Sequence, residues 1–276
     1  MDAELPVAAH YGLGGLPRRF LDAAVASGLD AEQLSHADLA AADEFHIGGR
    51  QATIDLFEQF DLAPTLRILD VGSGPGGTSR YLAAEYGCHV TGVDLTPEYV
   101  QLATELAART NLANLVSYQV ANATDLPIPP GSFDGAYMLH VGMNVADKTR
   151  LCAEVARVLA PNAFFAIYDV MRIGDGDLHY PTPWADGLKI SFLQTPEHYR
   201  ACLEAAGFTV SSLRERREFA IASFRAMRER VAASGPPALG LHLVMGADFN
   251  QKVSNLVSGL EQAVIAPVQI IAYLPR

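Results

Sequence analysis

Two carboxylates set behind apolar runs, with glycines between them, carry the first chemistry in this sequence. Residues 67–77, RILDVGSGPGG, place Asp70 near the end of a short apolar run, followed by Gly72, Gly74 and Gly77. Such runs are buried on both faces in a parallel sheet, and glycine lets backbone approach a ligand closely. A second run, 89–93, ends on Asp94, which puts another carboxylate at a strand's carboxyl end. The glycine spacing also satisfies G-x-G-x-x-G, which is compatible with a dinucleotide as well as with other ligands of a doubly wound sheet. Asp70 separates these cases. A pyrophosphate at the following helix would meet its negative charge, whereas a cationic ligand would be attracted by it.

Histidines supply the candidates for proton transfer. His140 opens the stretch His140-Val141-Gly142-Met143-Asn144-Val145, which follows an apolar run at 133–139, and this is the leading site loop. His46 lies in Asp43-Glu44-Phe45-His46-Ile47-Gly48-Gly49-Arg50, where paired glycines make either a plain helix-to-helix turn or a close approach to a ligand. Either histidine could act as a general base, or merely cap and pack. His242 and His179 are more remote candidates, while His36, His89 and His198 fall in helix or strand patterns. Cys88, Cys152 and Cys202 are odd in number and widely spaced, which indicates neither a disulfide framework nor a zinc site, and no metal site is expected.

The elements that must position these groups follow from periodicity. Strands are expected at 67–71, 89–93, 116–120, 133–139, 164–169, 208–213 and 268–273. Helices are expected at 97–109, 147–159, from Thr195 to Gly207, 219–233 and 247–262, with Thr96 as an N-cap and Pro97 in the first turn. Residues 1–60 read as helices, with Leu16, Phe20, Ala23 and Ala24 on one face. Residues 170–191 are irregular and hold Tyr180-Pro181-Thr182-Pro183-Trp184, the pattern of a lid loop. The expected organisation is a helical lid at 1–60, a core at 61–218, a helical insertion at 219–263 and a last core strand at 264–276.

Composition narrows the partners. Half of the 276 residues are apolar, enough for a sizeable core, and the formal charge is −11. That charge disfavours nucleic acid and anionic membrane as partners and favours a small molecule. With no leader-like stretch or long apolar run, a cytoplasmic protein, possible as a homodimer, is the expectation.

With Asp70, the spaced glycines and Asp94 in this order, the chain resembles the class I S-adenosylmethionine (SAM)-dependent methyltransferases. SAM has no phosphate, carries an ammonium and a sulfonium, and offers a ribose diol. The resemblance implies an α/β fold: a seven-stranded, mostly parallel doubly wound sheet whose last strand is antiparallel and slots between the fifth and sixth. It implies cofactor contacts from Asp70, Gly72, Ser73, Gly74, Asp94, Leu95, Asn122, Ala123, Leu139 and His140. Ala121 to Pro127 is similar to the family's G-D-A-x-x-L-P, in which Asp accepts from the adenine amino group; Asn122 stands there instead. An Asn carbonyl can take the same bond with less charge assistance. The Phe45 to Gly49 segment looks like the His-x-Gly stretch of enzymes related to sarcosine/dimethylglycine N-methyltransferase, which brings in Gly48 and Gly49. Tyr11 is similar to an aromatic lid position of that group. Met143, Asn144, Tyr180, Trp184 and His242 are the expected acceptor pocket, and His140, His46 and Tyr11 the expected catalytic groups. The resemblance implies methyl transfer to a small acceptor, most plausibly an amine nitrogen, with oxygen or carbon as alternatives. An NAD(P)-dependent oxidoreductase and a non-catalytic SAM-binding protein are the rival classes.

Overall fold

The computed structural model describes residues 4–12 and 14–275. Four helices come first: α1 (Glu4–Tyr11), α2 (Leu16–Ala26), α3 (His36–Asp43) and α4 (Gly49–Phe57). The core follows as β1 (Arg67–Val71), α5 (Gly77–Tyr86), β2 (His89–Asp94), α6 (Pro97–Arg109), β3 (Val116–Val120), β4 (Phe133–Leu139), α7 (Lys148–Val158), β5 (Leu159–Arg172), α8 (Pro196–Ala205) and β6 (Thr209–Glu215). Helices α9 (Arg217–Ser234), α10 (His242–Met245) and α11 (Phe249–Glu261) then precede β7 (Ile265–Tyr273).

The seven strands form one sheet in the order β3-β2-β1-β4-β5-β7-β6, with β7 antiparallel to both of its neighbours. This is the expected order. Two apolar layers cover the sheet. On one face Leu151, Cys152 and Val155 of α7 and Tyr199, Cys202 and Leu203 of α8 join residues of β1, β4, β5 and β7. On the other, Leu56 and Phe57 of α4 and Leu82 of α5 pack with Ile68, Tyr137 and Tyr168. Burial on both faces is why the central strands read as continuous apolar runs.

Parallel register brings the chemical groups together. Val71 pairs with Val93 of β2 and Met138 of β4, so Asp70, Asp94 and the end of β4 reach the same edge of the sheet. There the carboxyl ends of β1 and β4 diverge to opposite neighbours, the place where doubly wound sheets open a crevice.

Several boundaries differ from expectation. β5 begins at Leu159 and includes Pro161, so that proline follows the end of α7 rather than limiting a helix to 159. Asn162 adopts φ 66°, in the left-handed region that an asparagine tolerates. Strand β7 starts at Ile265, three residues earlier than the apolar pattern indicates. Helix α1 has no amphipathic signal in the sequence, and Thr96 caps α6 without a side-chain bond. Helix α2 packs through Leu16, Phe20 and Ala24 against Tyr99, Leu102 and Leu106 of α6, so it flanks the core rather than covering the crevice. No helix among the described residues is long and apolar enough to cross a membrane.

Candidate active site

The glycine turn shapes the floor of the crevice. Gly72 and Gly74 have φ 75° and 51°. A Cβ on Gly72 would lie 2.3 Å from Val141, while one on Gly74 would meet nothing within 4 Å, so the turn is tight at its first glycine and open at its second. Asp94 fixes the open side: its carboxylate accepts from the N–H of Gly74 and of Thr96, both at 2.8 Å. These backbone bonds favour the ionised form against burial, which pushes the group up.

Asp70 is buried, and its Oδ2 accepts from Ser79 Oγ at 2.6 Å. Burial drives its carboxyl up to about 7, with the Ser79 and Tyr137 hydroxyls opposing. Such a group is held ionised most readily when a cation sits beside it. Ser73 Oγ is buried without a hydrogen-bond partner and lines the same crevice, an orphan that a ligand hydroxyl would satisfy. These groups fit the expected cofactor: an acid for an ammonium, and a second acid and an unpaired hydroxyl for a diol.

The crevice is one cavity of about 1410 Å³. Besides the groups above, Leu95, Ala123 and Leu139 line its cofactor end; Tyr11, His46, Gly48, Gly49, Met143, Asn144, Trp184 and His242 also reach it. Tyr180 does not. It packs behind the loop, in the cluster that holds Val7, Ile47 and Trp184, so its expected place in the acceptor pocket is corrected. Ligand sites commonly occupy roughly 300–1,000 Å³, so this volume exceeds the need of a single ligand.

His140 differs most from the expected role. It sits at φ 56°, its Nδ1 bonds the carbonyl of Tyr168 at 3.0 Å, and its Nε2 accepts from the N–H of Ile47 at 3.3 Å. Both nitrogens are therefore engaged by backbone, and burial beside His46 pushes the imidazole down to about 3. This geometry makes His140 a neutral clamp between β5 and the 44–49 segment and leaves no nitrogen to take a proton. His46 is buried and pushed down to about 4, with Nε2 directed to the Gly49 carbonyl at 3.2 Å. His242 lines the cavity, its ring edge-on to Phe249 at 6.4 Å, and its ring makes no hydrogen bond to the described residues.

Tyr11 is a structural tie. Its hydroxyl donates to Asn144 Oδ1 at 2.8 Å, and Asn144 Nδ2 donates to the carbonyls of Trp184 and Ile190 at 2.7 and 3.0 Å. Burial raises the Tyr11 phenol, with the nearby acids adding to the shift, so it stays neutral. Asn144 thus joins α1 to the loop after β5. At the other end of α1, Glu4 Oε1 accepts from Asn122 Nδ2 at 2.6 Å. Glu4 lies outside every motif of the sequence and was not among the expected site residues.

The 43–50 segment is anchored through buried charge. Glu44, fully buried, accepts from Arg50 Nε at 2.6 Å, Thr53 Oγ1 at 2.7 Å and Thr78 Oγ1 at 3.0 Å. Asp43 pairs with Arg80 of α5, both side chains fully buried. Helix α5 follows the glycine turn, so these bonds fix that turn relative to His46 and Gly48.

Comparison with known proteins converges on these features. The model of a methyltransferase domain matches residues 69–167, which run from β1 through β5 and include Asp70, the glycine turn and Asp94. The chain is 31% identical over 175 residues to a glycine/sarcosine/dimethylglycine N-methyltransferase of Actinopolyspora halophila, covering 63% of this chain and 30% of that one. It is 42% identical over 96 residues to a probable tocopherol O-methyltransferase, chloroplastic, of Oryza sativa subsp. japonica, covering 35% and 26%. Residues 69–167 form a methyltransferase domain of the class I SAM-dependent kind. The chain's matches thus span under a third of those two relatives' lengths. Geranyl diphosphate C-methyltransferase from Streptomyces coelicolor A3(2), solved with Mg²⁺, geranyl diphosphate and S-adenosyl-L-homocysteine, has the same fold at TM-score 0.69 and 15% identity, covering 99% of this chain and 98% of that one. Asp70, Ser73, Gly74 and Asp94 of this domain line the cavity with the chemistry that SAM would need.

The rest of the cavity was not legible as a pocket. Phe45, Phe224, Met227, Leu241, Met245 and Phe249 line it from the 43–50 segment and from α9 to α11. Their only sequence signal is an apolar stripe, which marks helix packing equally well.

Proposed function

We propose that the chain transfers a methyl group from SAM to a small-molecule acceptor with a carbon-rich body, at oxygen or carbon, with an amine nitrogen as the alternative. One observation carries this reading: the cavity that holds Asp70 and Asp94 continues without a wall into the apolar chamber of Phe224, Met227, Leu241, Met245 and Phe249. A chamber of that character rewards an apolar body and gives little to a zwitterion such as a small amino acid. The amine reading draws support from the likeness to the N-methyltransferase. The likeness in fold to an enzyme solved with geranyl diphosphate agrees with an apolar acceptor.

SAM supplies an electrophilic methyl on sulfur, so the protein has to align the acceptor and exclude water. Asp70 and Asp94 fix the cofactor end. Tyr11, Asn144 and Trp184 tie α1 across the crevice and keep solvent out. His242 is the histidine best placed to receive a proton from an acceptor hydroxyl, since it faces the chamber with no bond to the described residues. His140 and His46 position the 44–49 segment.

The test is a labelled-methyl transfer assay against two acceptor panels, apolar phenols or quinols and short zwitterionic amines. Methyl gain on the first panel is expected, with Met227→Lys raising the acceptor KM about tenfold or more and leaving the SAM KM unchanged. Methyl gain confined to sarcosine-like amines would overturn the apolar-acceptor reading.

A further inference from the structure

We propose that Glu4 of α1 reads the 6-amino group of the cofactor's purine in place of Asn122, so that the adenosine site is complete only when α1 is docked. This deepens the SAM-dependent reading and rests on it. With the ligand's ammonium at Asp70 of β1 and its diol at Asp94 of β2, the sulfonium has to face the acceptor chamber beyond β4. The purine then extends the other way, past β2 toward the end of β3, where Asn122 follows.

Asn122 has no free acceptor there. Its Oδ1 takes both the N–H and the hydroxyl of Thr124, each at 2.9 Å, which uses the two lone pairs of an amide oxygen. Its Nδ2 can only donate, and it donates to Glu4 Oε1 at 2.6 Å. The half-buried Glu4 carboxylate lines the same cavity and makes no other side-chain hydrogen bond to the described residues. It retains an oxygen to accept from an amino group, with the charge assistance that Asn122 lacks. An aspartate at position 122 would repel Glu4; the amide holds it. Asn122 and Glu4 therefore form one unit in which the acidic group has moved from the loop after β3 to the helix that covers it.

The other end of the same helix is tied by Tyr11 to Asn144, and His10 Nδ1 lies 3.0 Å from Asp186 Oδ2. Docking of α1 thus places Glu4 at the purine and Tyr11 at the loop edging the acceptor chamber together.

The test compares binding of S-adenosylhomocysteine with S-inosylhomocysteine, in which a carbonyl replaces the 6-amino group, by titration calorimetry. The wild-type chain should prefer the adenosyl ligand by about tenfold or more. Glu4→Ala should lose about tenfold on the adenosyl ligand alone and abolish the preference. Glu4→Gln, whose amide can donate to the carbonyl, should also abolish it. Adding Asn122→Asp to Glu4→Ala should restore adenosyl preference. An unchanged preference in Glu4→Ala would overturn the proposal, as would equal losses on both ligands, which would make Glu4 a docking residue only. A wild-type chain that binds neither ligand would overturn the cofactor reading and this inference with it.

Discussion

Asp70 shows how one residue trades stability for binding. Its ordinary carboxyl pKa is 3.8 and burial raises it to about 7 in the folded chain. The folded state therefore holds a proton that the unfolded state has released between these values, and above about 7 it carries an ionised, desolvated group. Asp70→Asn should raise the melting temperature of the ligand-free chain at pH 8, with the gain shrinking as pH falls through 7 toward 4, while SAM affinity drops. A melt series over pH with no such trend would show that Asp70 is not strained by burial. For the wild type, SAM affinity should rise with pH through about 7 with proton release, read from calorimetry in buffers of different ionisation enthalpy. The histidines divide in the same manner. His140, held near 3 and bonded at both nitrogens, cannot titrate in the neutral range. His242→Ala should lower kcat by about 10²-fold or more across the pH–rate profile. His140→Ala should lower stability and leave the profile's shape intact, and a lost limb in that variant would restore it as the base.

At the scale of elements, the segment between α3 and α4 is held by buried charge as well as by the apolar contacts of Phe45 and Ile47. Asp43 and Arg80 are a fully buried pair, and removal of one partner strands the other in low dielectric. Arg80→Ala should destabilise the fold by about 3–5 kcal/mol in denaturant titration, with much of the loss recovered by pairing Arg80→Met with Asp43→Leu. A loss below about 1 kcal/mol would mean that water reaches the pair. The double replacement should still weaken SAM, because the 43–50 segment would keep the Thr78–Glu44 bond to α5 but lose the ion pair that helps fix Gly48 and His46 against it. Stability and cofactor affinity would then separate, which a purely structural pair would not allow.

Across the whole molecule, the cavity is walled by parts distant in sequence: α1, the glycine turn, the loop after β4, and α9 to α11. A ligand that bridges them should stabilise all of them at once. S-adenosylhomocysteine at a hundred times its Kd should add about 2.7 kcal/mol to unfolding. Amide exchange should slow in α1 and in the 44–49 segment as well as in the glycine turn. Protection confined to the turn would show that α1 does not close on the cofactor.

The local grammar of the sequence was sufficient for the sheet and the cofactor end. Short apolar runs, the glycines between Asp70 and Asp94 and the left-handed Asn162 obey backbone sterics and burial that act within a few residues, and the strand order followed from the family those residues resemble. The roles of the histidines were not fixed in that way, because a histidine's chemistry depends on what meets its two nitrogens. For His140 these are the carbonyl of Tyr168 and the N–H of Ile47, one 28 residues later and the other 93 earlier. Glu4 was silent for the same reason: it acquires meaning only when α1 crosses to Asn122, 118 residues away. Tyr180 carried the pattern of a pocket residue but packs against the apolar cluster that holds Val7, Ile47 and Trp184 and does not line the cavity, a choice made by volume and contact in three dimensions. Local patterning set which strand ends carry acids and a tight turn, whereas contacts made across the fold settled which side chains stay free to meet a ligand.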